Sequence, residues 1–363
     1  MVDAMHRSPS FALKGHIQRG DTAPWWNQGR YRFVFDAVAG RYIVLTFYRS
    51  AGDAVGQTAL RALNDHGHFV RDGKACFFGV SADQQDQADG GVEAKFPSIQ
   101  FLWDADATLN AAYGIGASRL TILLDPTLRV LEVIPFRSDG LHWQQLFDLL
   151  DALPPPSRFL GFEMPAPVLI LPNVFEPELC RHLIDQYEKH GGRESGYMQE
   201  VSGETVEVYD HAWKRRRDYI ISDGPLTEQI DARVSRRIGP VMRKAFHFKV
   251  TRMERHLVAC YSSEDGGHFG AHRDDTVKAT QHRRFAVSIN LNDDFAGGEL
   301  SFPEFGPRGY KAPVGTAVIF SASLLHAVGT VTGGRRYAFL PFLHDEEAEQ
   351  IRVANCRTSP KPA

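Results

Sequence analysis

The chain has 363 residues, of which 43% are hydrophobic and 23% are charged, a balance typical of globular proteins and not of disordered ones. This length exceeds the size over which a single hydrophobic core usually grows, so we expect two domains. The net charge of -3 offers no overall attraction to nucleic acid or to an anionic membrane, and neither is expected as a partner.

The four cysteines are far apart and form no C-x-x-C pair, which argues against a zinc knuckle and against a dithiol redox centre. No segment approaches the roughly 18 consecutive apolar residues of a membrane span, and the first residues show no signal-peptide pattern. The sequence therefore predicts reduced thiols and a cytoplasmic location. The cysteines are Cys76, Cys180, Cys260 and Cys356.

Strand-like and helical runs alternate in the first part of the chain, which is the pattern of an α/β sheet with crossover helices. A proline-rich segment then interrupts both kinds of structure, because proline can continue neither a helix nor a central strand. We therefore expect domains over 15–152 and 167–350, joined by a linker over 153–166. The alternating runs are Tyr42 to Tyr48, Thr58 to Phe69, Ala75 to Val80, Leu120 to Leu124 and Leu141 to Leu153.

The second domain begins with helical patterns over Glu176 to His190 and Leu226 to Phe246. Short β-rich runs separated by Gly, Pro and Asp follow, and their regular spacing predicts a sandwich or jelly-roll barrel. These runs are Arg255 to Tyr261, Arg284 to Leu291, Glu299 to Phe302, Thr316 to Phe320 and Tyr337 to Leu343.

His272 and Asp274 are two residues apart in this β-rich region. On an extended strand, residues i and i+2 point to the same face, so both side chains could reach one metal ion. Asp275 would point to the opposite face, which makes it the weaker candidate. An isolated H-x-D triplet occurs often by chance and usually marks a solvated loop, so it needs support from elsewhere in the chain.

That support comes from His326, in an apolar run that follows a strand and a Pro-Val-Gly turn. Two histidines and one carboxylate form the facial triad of non-haem Fe(II), which leaves positions open for a co-substrate and dioxygen. Taken alone, His326 would be read as a core histidine with backbone partners. Ten residues later, Arg336 could supply a buried guanidinium for a carboxylate, whereas Arg335 should point to the opposite face of the strand and be solvated.

These residues resemble the prolyl 4-hydroxylase-like branch of the 2-oxoglutarate/Fe(II) dioxygenase superfamily, over roughly Pro167 to Asp345. In that family a Tyr-containing strand precedes H-x-D, a Gly-Gly-Glu turn, a distal His and a basic residue about ten positions on. The matching pieces are Ala259 to Tyr261, His272 to Asp274, Ser288 to Asn292, Gly297 to Pro303, Pro313 to Gly315, His326 and Arg336.

The resemblance implies an α+β domain built on a double-stranded β-helix (jelly roll), with Fe(II), 2-oxoglutarate and L-ascorbate as cofactors. His272, Asp274 and His326 take the ligand positions, Arg336 takes the position that binds the C5 carboxylate of 2-oxoglutarate, and Tyr261 lines the co-substrate pocket. Tyr261 could otherwise be an ordinary strand aromatic. The chain departs from many prolyl hydroxylases at Phe269, where they carry a tyrosine, so substrate or co-substrate contacts on that side are in doubt.

The first domain resembles the peroxiredoxin (alkyl hydroperoxide reductase/thiol-specific antioxidant) family over about residues 15–152, which implies a thioredoxin-like fold. The matching pieces are Gly20 to Trp25, Tyr42 to Tyr48, Phe78 to Asp83 and Leu120 to Pro126. In that family the loop after the first long strand holds an activated thiolate at a helix N-terminus.

Here that loop, Arg49 to Thr58, contains no cysteine, and Gln57 is closest to the expected place. An amide cannot attack a peroxide, and Cys76 lies in an apolar strand, where a thiol is inert. We therefore expect no peroxidase activity. The domain more plausibly binds a molecule, dimerises or recruits a protein substrate.

A basic run, Lys214 to Arg217, precedes the β-rich region, with Arg233, Arg236 and Arg237 in the following helix. Such a run is usually a solvated face, although an acidic protein, peptide or nucleic-acid substrate is the alternative.

Together the patterns predict a hydroxylase of a peptidyl or amino-acid side chain, with proline as the first candidate. The alternative hypothesis is an iron- or 2-oxoglutarate-responsive binding or sensor protein. Neither the substrate nor the oligomeric state follows from the sequence.

Overall fold

In the computed structural model of the protein, the described residues are 16–24, 38–65, 73–88, 99–201 and 204–358. Packing divides the chain into two compact units, with the boundary between Met164 and Pro165. The predicted start of the first domain at residue 15, Trp25 and the end of the helix predicted over Thr58 to Phe69 lie outside the described residues. None of the described helices has the length and apolar character needed to cross a membrane.

The first unit contains a five-stranded mixed sheet in the order β3-β2-β1-β4-β5. The first three strands are parallel, and β4 and β5 run antiparallel to their neighbours. β1 and β2 are buried at every position, as expected for parallel strands covered on both faces. The strands are β1 (Tyr42–Tyr48), β2 (Ala75–Ser81), β3 (Ile99–Trp103), β4 (Leu120–Leu124) and β5 (Val130–Pro135).

Four helices accompany this sheet in the part of the unit that the structure describes, and the predicted α/β class agrees with it. The last of them, which was predicted over Leu141 to Leu153, buries Trp143, Leu146 and Leu150 in the core. The helices are α1 (Ala54–Asp65), α2 (Gln84–Ala88), α3 (Thr108–Ala112) and α4 (Leu141–Ala152).

The helices of the second unit follow the predicted pattern with one interruption. A single helix was expected over Leu226 to Phe246, but the structure has a π-helical turn at Val234–Ile238 that separates two helices. Pro240 explains the break, because proline lacks the amide hydrogen and its ring clashes with the carbonyl four residues earlier. The helices are α5 (Pro177–His190), α6 (Gly224–Arg233), α7 (Gly239–Phe246) and α8 (Glu346–Thr358).

Two larger antiparallel sheets and two two-stranded sheets, β8-β9 and β16-β21, form the described β part of the second unit. The smaller of the two larger sheets has the order β10-β14-β20-β17-β18, and the other has β12-β23-β15-β22-β13-β11-β7, with β19 paired to β15 and β6 paired to β19. The strands are β6 (Leu169–Leu171), β7 (Arg193–Glu194), β8 (Tyr197–Val201), β9 (Glu204–Val208), β10 (Lys214–Arg215), β11 (Arg217–Ile220), β12 (Arg252–Glu254), β13 (Leu257–Ser262), β14 (His268–His272), β15 (Phe285–Asn290), β16 (Ala296–Gly297), β17 (Leu300–Ser301), β18 (Gly309–Tyr310), β19 (Ala317–Ser321), β20 (His326–Val328), β21 (Val331–Gly333), β22 (Arg335–Phe339) and β23 (Phe342–His344).

Side chains alternate between the two faces of the larger sheet, so that one face packs into the hydrophobic core and the other faces the candidate site. Val258, Ile289 and Phe339 belong to the hydrophobic core that includes buried residues of α5 and α6. Successive residues of a strand point to opposite faces, so Ala259, Tyr261 and the other residues of that parity lie on the second face. The polar groups of the candidate site come from this second face, on β13, β15 and β22.

Several predicted strands are shorter than expected, and two of them have a clear local cause. The strand predicted over Tyr337 to Leu343 is divided at Pro341, which cannot donate a hydrogen bond to a neighbouring strand. The strand predicted from Arg255 begins at Leu257, because Arg255 adopts a left-handed backbone conformation with φ of 54°.

Candidate active site

His272, Asp274 and His326 lie together in the second unit, and their ligand-type atoms are all within 4.8 Å of one another. The Nε2 atoms of His272 and His326 are 3.6 and 3.4 Å from the two carboxylate oxygens of Asp274. Pairing between β14 and β20 places His272 directly opposite His326. The smaller sheet thus brings His326, which is distant in sequence, next to His272 and the nearby Asp274.

The other ring nitrogen of each histidine is held by a backbone carbonyl. Nδ1 of His272 donates to Gly270 at 2.8 Å, and Nδ1 of His326 donates to Leu324 at 2.9 Å. A carbonyl can only accept, so the proton of each neutral ring is on Nδ1 and the lone pair is on Nε2. This arrangement orients both Nε2 atoms as metal ligands.

Electrostatics keeps two of these side chains in their ligand form. Burial lowers the pKa of His326 to about 4, with a further contribution from His272, so this imidazole is neutral at neutral pH. Burial of Asp274 opposes its ionisation, but the neighbouring His326 and His272 outweigh that effect and hold the pKa of the carboxyl below its usual value. A neutral imidazole and a carboxylate are the forms that bind a metal.

Asp274 is not on a strand, contrary to the geometry assumed from the sequence. β14 ends at His272, and the amide of Asp274 instead donates to the carbonyl of Ala322 at 2.8 Å. Asp275 accepts a hydrogen bond from the hydroxyl of Ser323 and lies outside the cluster. The distinction between the two carboxylates therefore depends on loop contacts and not on strand alternation.

Arg336 is buried on β22, with only 2% of its surface exposed. Its Nε donates to Asn290 at 3.1 Å and its Nη2 donates to Ser288 at 2.9 Å. Nη1 is buried and finds no acceptor among the described residues. Burial, followed by the nearby Arg216, lowers the pKa of Arg336. A buried guanidinium with one free edge is a site for an anion.

Gly298 leaves the space beside this guanidinium. A Cβ atom added there would be 3.3 Å from Cδ of Arg336 and 2.8 Å from the side chain of Val331. Its φ of 70° is also one that residues other than glycine rarely adopt. The Gly-Gly-Glu turn thus admits the arginine side chain.

Tyr261 is fully buried, and its ring centre is 5.4 Å from the guanidinium carbon of Arg336. Its hydroxyl is 3.5 Å from Nη1 of Arg216. Arg335, by contrast, has 45% of its side chain exposed and pairs with Glu264 at 3.4 Å. The two adjacent arginines therefore lie on opposite faces of β22.

The basic run is not a uniformly solvated face, so that interpretation of the sequence was wrong for two of its residues. Lys214 and Arg216 are buried, whereas Arg215 and Arg217 are exposed. Arg216 forms a bidentate pair with Asp218, with Nε 2.7 Å from Oδ1. The alternation of a strand could have indicated which basic residues turn inward.

Lys214 connects the two parts of the site. Its Nζ donates to the hydroxyl of Ser195 at 2.8 Å and lies 4.8 Å from the ring centre of Phe269. Phe269 stacks on His272 with their ring centres 3.6 Å apart. Burial, and then the charge of Arg216, lower the pKa of Lys214 to about 6. The amine is therefore mostly neutral above that pH.

In the first unit, the carboxylate of Asp53 lies at the start of α1, in the loop where the resemblance places a reactive thiolate and this chain has no cysteine. Oδ1 of Asp53 accepts from the amides of Val55 and Gly56 at 2.9 and 2.8 Å, and Oδ2 pairs with Arg119 at 2.8 Å. A Cβ atom at Gly56 would be 2.0 Å from the carbonyl oxygen of Ser50, so a side chain there requires the backbone to move. Gln57 donates to the carbonyl of Ala51.

Cys76 has 1% of its surface exposed, and burial raises its pKa despite a nearby Arg41. We expect the full chain to consume hydrogen peroxide no faster than a protein without thiols, because a buried, protonated thiol does not react. The Cys76→Ser variant should therefore have the same rate. The measurement is consumption of hydrogen peroxide by the full chain in the presence of dithiothreitol. Rapid consumption that Cys76→Ser abolishes would overturn this account of the first unit.

Comparison with known proteins finds one family match in each part of the chain. Residues 256–344 match the 2OG-Fe(II) oxygenase superfamily, and residues 6–133 match the AhpC/TSA family. Both matches agree with the resemblances seen in the sequence. They also agree with a thioredoxin-like first unit and a jelly-roll second unit.

Individual relatives cover part of the chain. A PKHD-type hydroxylase of Synechococcus sp. (strain JA-2-3B'a(2-13)) is 36% identical over 89 residues, which are 23% of this chain and 39% of the relative. A PKHD-type hydroxylase of Pseudomonas fluorescens (strain Pf0-1) is 27% identical over 183 residues, which are 47% of this chain and 75% of the relative. This chain thus spans about two-fifths of the length of the first curated relative.

Among solved structures, the crystal structure of a Pseudomonas putida prolyl-4-hydroxylase aligns with a TM-score of 0.38 and 15% identity, covering 49% of this chain and 92% of that chain. The family matches carry the assignment. The chain thus carries a C-terminal domain that matches the 2OG-Fe(II) oxygenase superfamily, preceded by a domain that matches the AhpC/TSA family and has no cysteine in the expected loop.

Proposed function

We propose that the chain is a 2-oxoglutarate- and Fe(II)-dependent dioxygenase that hydroxylates a peptidyl or amino-acid side chain, with proline as the first candidate. The observation that carries this proposal is the convergence of His272, Asp274 and His326, with both Nε2 atoms oriented toward one carboxylate. Two imidazoles and one carboxylate favour non-haem Fe(II). Relatives named PKHD-type hydroxylases support the choice of reaction.

The residues present also fit the co-substrate. The buried Nη1 of Arg336, which finds no acceptor among the described residues, suits the C5 carboxylate of 2-oxoglutarate. Contacts link this arginine to the metal site: Arg336 lies beside Tyr261, and Tyr261 contacts Arg216. Arg216 and Lys214 both donate to the hydroxyl of Ser195, and Lys214 lies on the Phe269 ring that stacks on His272.

Each part of the site has a separate role in the proposed reaction. Bound Fe(II) with 2-oxoglutarate and dioxygen supplies the oxidation, and 2-oxoglutarate leaves as succinate and CO2. His272, Asp274 and His326 would hold the metal, and Arg336 would hold the far carboxylate of the co-substrate. Tyr261 would close the side of that pocket and exclude water from the ion pair, which strengthens it.

The proposal extends to details of the domain and its setting. Residues 167–350 would form a double-stranded β-helix, and the two antiparallel sheets support that topology. Ascorbate would keep the iron reduced between turnovers. A cytoplasmic location would suit the free, buried cysteines Cys76, Cys180 and Cys260.

Ser288 tests whether the orientation of Arg336 matters. Ser288→Ala removes the hydrogen bond to Nη2, a net contribution of about 0.5–1.5 kcal/mol, so we expect the Kd for 2-oxoglutarate to rise by roughly 2- to 13-fold. Iron affinity should be unchanged, because Ser288 is outside the metal cluster. Equal loss of iron and 2-oxoglutarate affinity would instead indicate general misfolding.

The proposed activity is tested by succinate release from 2-oxoglutarate with Fe(II), ascorbate and a panel of proline-containing peptides, with mass spectrometry for a gain of one oxygen. We expect peptide-dependent succinate and a hydroxylated product. Tight binding of Fe(II) and 2-oxoglutarate without turnover on any peptide or in cell extract would support the sensor hypothesis instead.

A further inference from the structure

Arg255 is a positively charged residue that the proposed reaction does not use and that has no partner of opposite charge. Its Nε is shielded from solvent and forms no hydrogen bond, and its side chain makes no hydrogen bond or ion pair with any described residue. Leaving a buried donor unpaired is costly, so such a group indicates a missing ligand. Burial, then the charges of Arg283 and Arg216, lower the pKa of Arg255 to about 10, so it remains cationic.

The position of Arg255 relates it to the metal site. Its guanidinium carbon is 4.6 Å from the ring centre of Phe342, and that of Arg283 is 4.0 Å from the same centre. Nη1 of Arg283 donates to the backbone carbonyl of Asp274 at 3.3 Å. Arg255 therefore lies over the same aromatic ring as Arg283, whose side chain contacts a candidate iron ligand.

The nearest carboxylates are already engaged by other cations. Glu254 accepts from Arg283 at 2.9 and 2.7 Å and from His282 at 2.8 Å. Asp218 is held by Arg216 in the bidentate pair. Arg255 forms no hydrogen bond with either carboxylate, so its charge has no directly bonded partner among the described residues.

The backbone at Arg255 supports a functional role. Its φ of 54° is in the left-handed region, which non-glycine residues rarely adopt and which occurs often at functional sites. The conformation ends the extended run before β13 begins at Leu257. The backbone and the contact with Phe342 therefore position Arg255 without a polar partner.

We propose that Arg255 binds a carboxylate of the primary substrate, so that the hydroxylated residue is followed or preceded by an acidic side chain or by the α-carboxylate of a chain end. This inference rests on the proposed function. A carboxylate fits better than a phosphate, because only one uncompensated charge is present: Arg216 and Arg283 are each neutralised by a partner. Arg336, on another strand, is reserved for the co-substrate.

Binding of matched peptides tests the proposal without turnover. The full chain, loaded with Fe(II) and 2-oxoglutarate under anaerobic conditions, is titrated by calorimetry with acetylated, amidated proline peptides that carry glutamate at one flanking position. Twin peptides carry glutamine there, and a third set lacks acids but has a free C-terminal carboxylate. We expect at least one glutamate or free-carboxylate peptide to bind about 10-fold or more tightly than its neutral twin, since charged hydrogen bonds contribute about 1.5–3 kcal/mol.

The variants assign that preference to Arg255. Arg255→Gln should remove it, Arg255→Lys should retain part of it, and Arg243→Gln, which removes an exposed arginine of α7, should retain all of it. The affinity for 2-oxoglutarate should be the same in all three, which separates substrate binding from co-substrate binding. In the unaltered protein the preference should shrink as salt is added.

Failure of this inference can be distinguished from failure of the proposed function. Equal binding of acidic and neutral twins in the unaltered protein, or a full preference in Arg255→Gln, would overturn the role of Arg255 even if succinate is released. An Arg255-dependent preference without hydroxylation of any proline would keep the carboxylate site and refute proline as the reacting residue.

Discussion

Succinate formation is expected to be lost when any one of the three clustered side chains is replaced, as in His272→Ala, Asp274→Ala or His326→Ala. Each substitution removes one of the three proposed protein ligands from a site in which both Nε2 atoms lie within 4 Å of the carboxylate. Loss of an outer partner of a metal ligand typically costs about 10- to 100-fold, so loss of the ligand itself should exceed about 100-fold.

Asp275→Ala is the matched control for these variants. It removes a neighbouring carboxylate that lies outside the cluster and accepts from Ser323, so activity should remain near that of the unaltered protein. The measurements are Fe(II) affinity and succinate release for each variant. Unimpaired turnover in His326→Ala would refute the assignment of the site. Loss of turnover in Asp275→Ala would indicate that Asp275, and not Asp274, is the carboxylate ligand.

Arg336→Ala should weaken binding of 2-oxoglutarate by about 2–5 kcal/mol, or roughly 30- to 5,000-fold, because the far carboxylate would be buried without a partner. Arg336→Lys keeps the charge but loses the planar fork, so it should bind with intermediate affinity. Iron affinity should hardly change, since the side chain is not among the clustered ligands.

Arg335→Ala is the control, because this adjacent arginine is 45% exposed and pairs with Glu264 and Glu188 on the other face of the strand. Its removal should alter the Kd by less than a factor of about 5, the upper range for an exposed ion pair. The two variants should be titrated with 2-oxoglutarate side by side. A larger loss in Arg335→Ala than in Arg336→Ala would contradict the side-chain directions seen on β22.

Spacing along the sequence located the residues that the structure brings together, since a histidine, an aspartate and a distal histidine have few other common uses in this order. The sequence could not supply the reason that Asp274 and not Asp275 lies in the cluster. That choice depends on the hydrogen bond between the amide of Asp274 and Ala322, a residue almost 50 positions away. Tertiary contacts of this kind leave no local pattern.

The basic run shows how local statistics can mislead. A stretch of four cations is usually solvated, but Lys214 and Arg216 point inward because they lie on and beside short strands. The contact of Arg255 and Arg283 with Phe342 was also invisible, because these residues come from three separate segments of the chain. Only the antiparallel pairing of β12 with β23 and of β15 with β23 brings these segments together.

The first domain was recognised from strands that are buried along their whole length and therefore give a continuous apolar pattern. Of these, β1 and β4 begin and end where the sequence predicted. Two further strands, Ile99–Trp103 and Val130–Pro135, were missed. Both contain partly exposed residues and lie at the two edges of the sheet, where the hydrophobic signal is weaker. The sequence therefore predicted the class of this fold better than its full set of strands.

The central claim is that one site holds Fe(II) through His272, Asp274 and His326 and 2-oxoglutarate through Arg336. It is tested most directly by anaerobic titration of the full chain with 2-oxoglutarate, following the visible charge-transfer absorption that requires the metal and the 2-oxo acid to be bound together. We predict a saturable band that needs both Fe(II) and 2-oxoglutarate, that is absent in His272→Ala and that appears only at much higher 2-oxoglutarate in Arg336→Ala. A band of unchanged midpoint in Arg336→Ala, or any band in His272→Ala equal to that of the unaltered protein, would contradict the account.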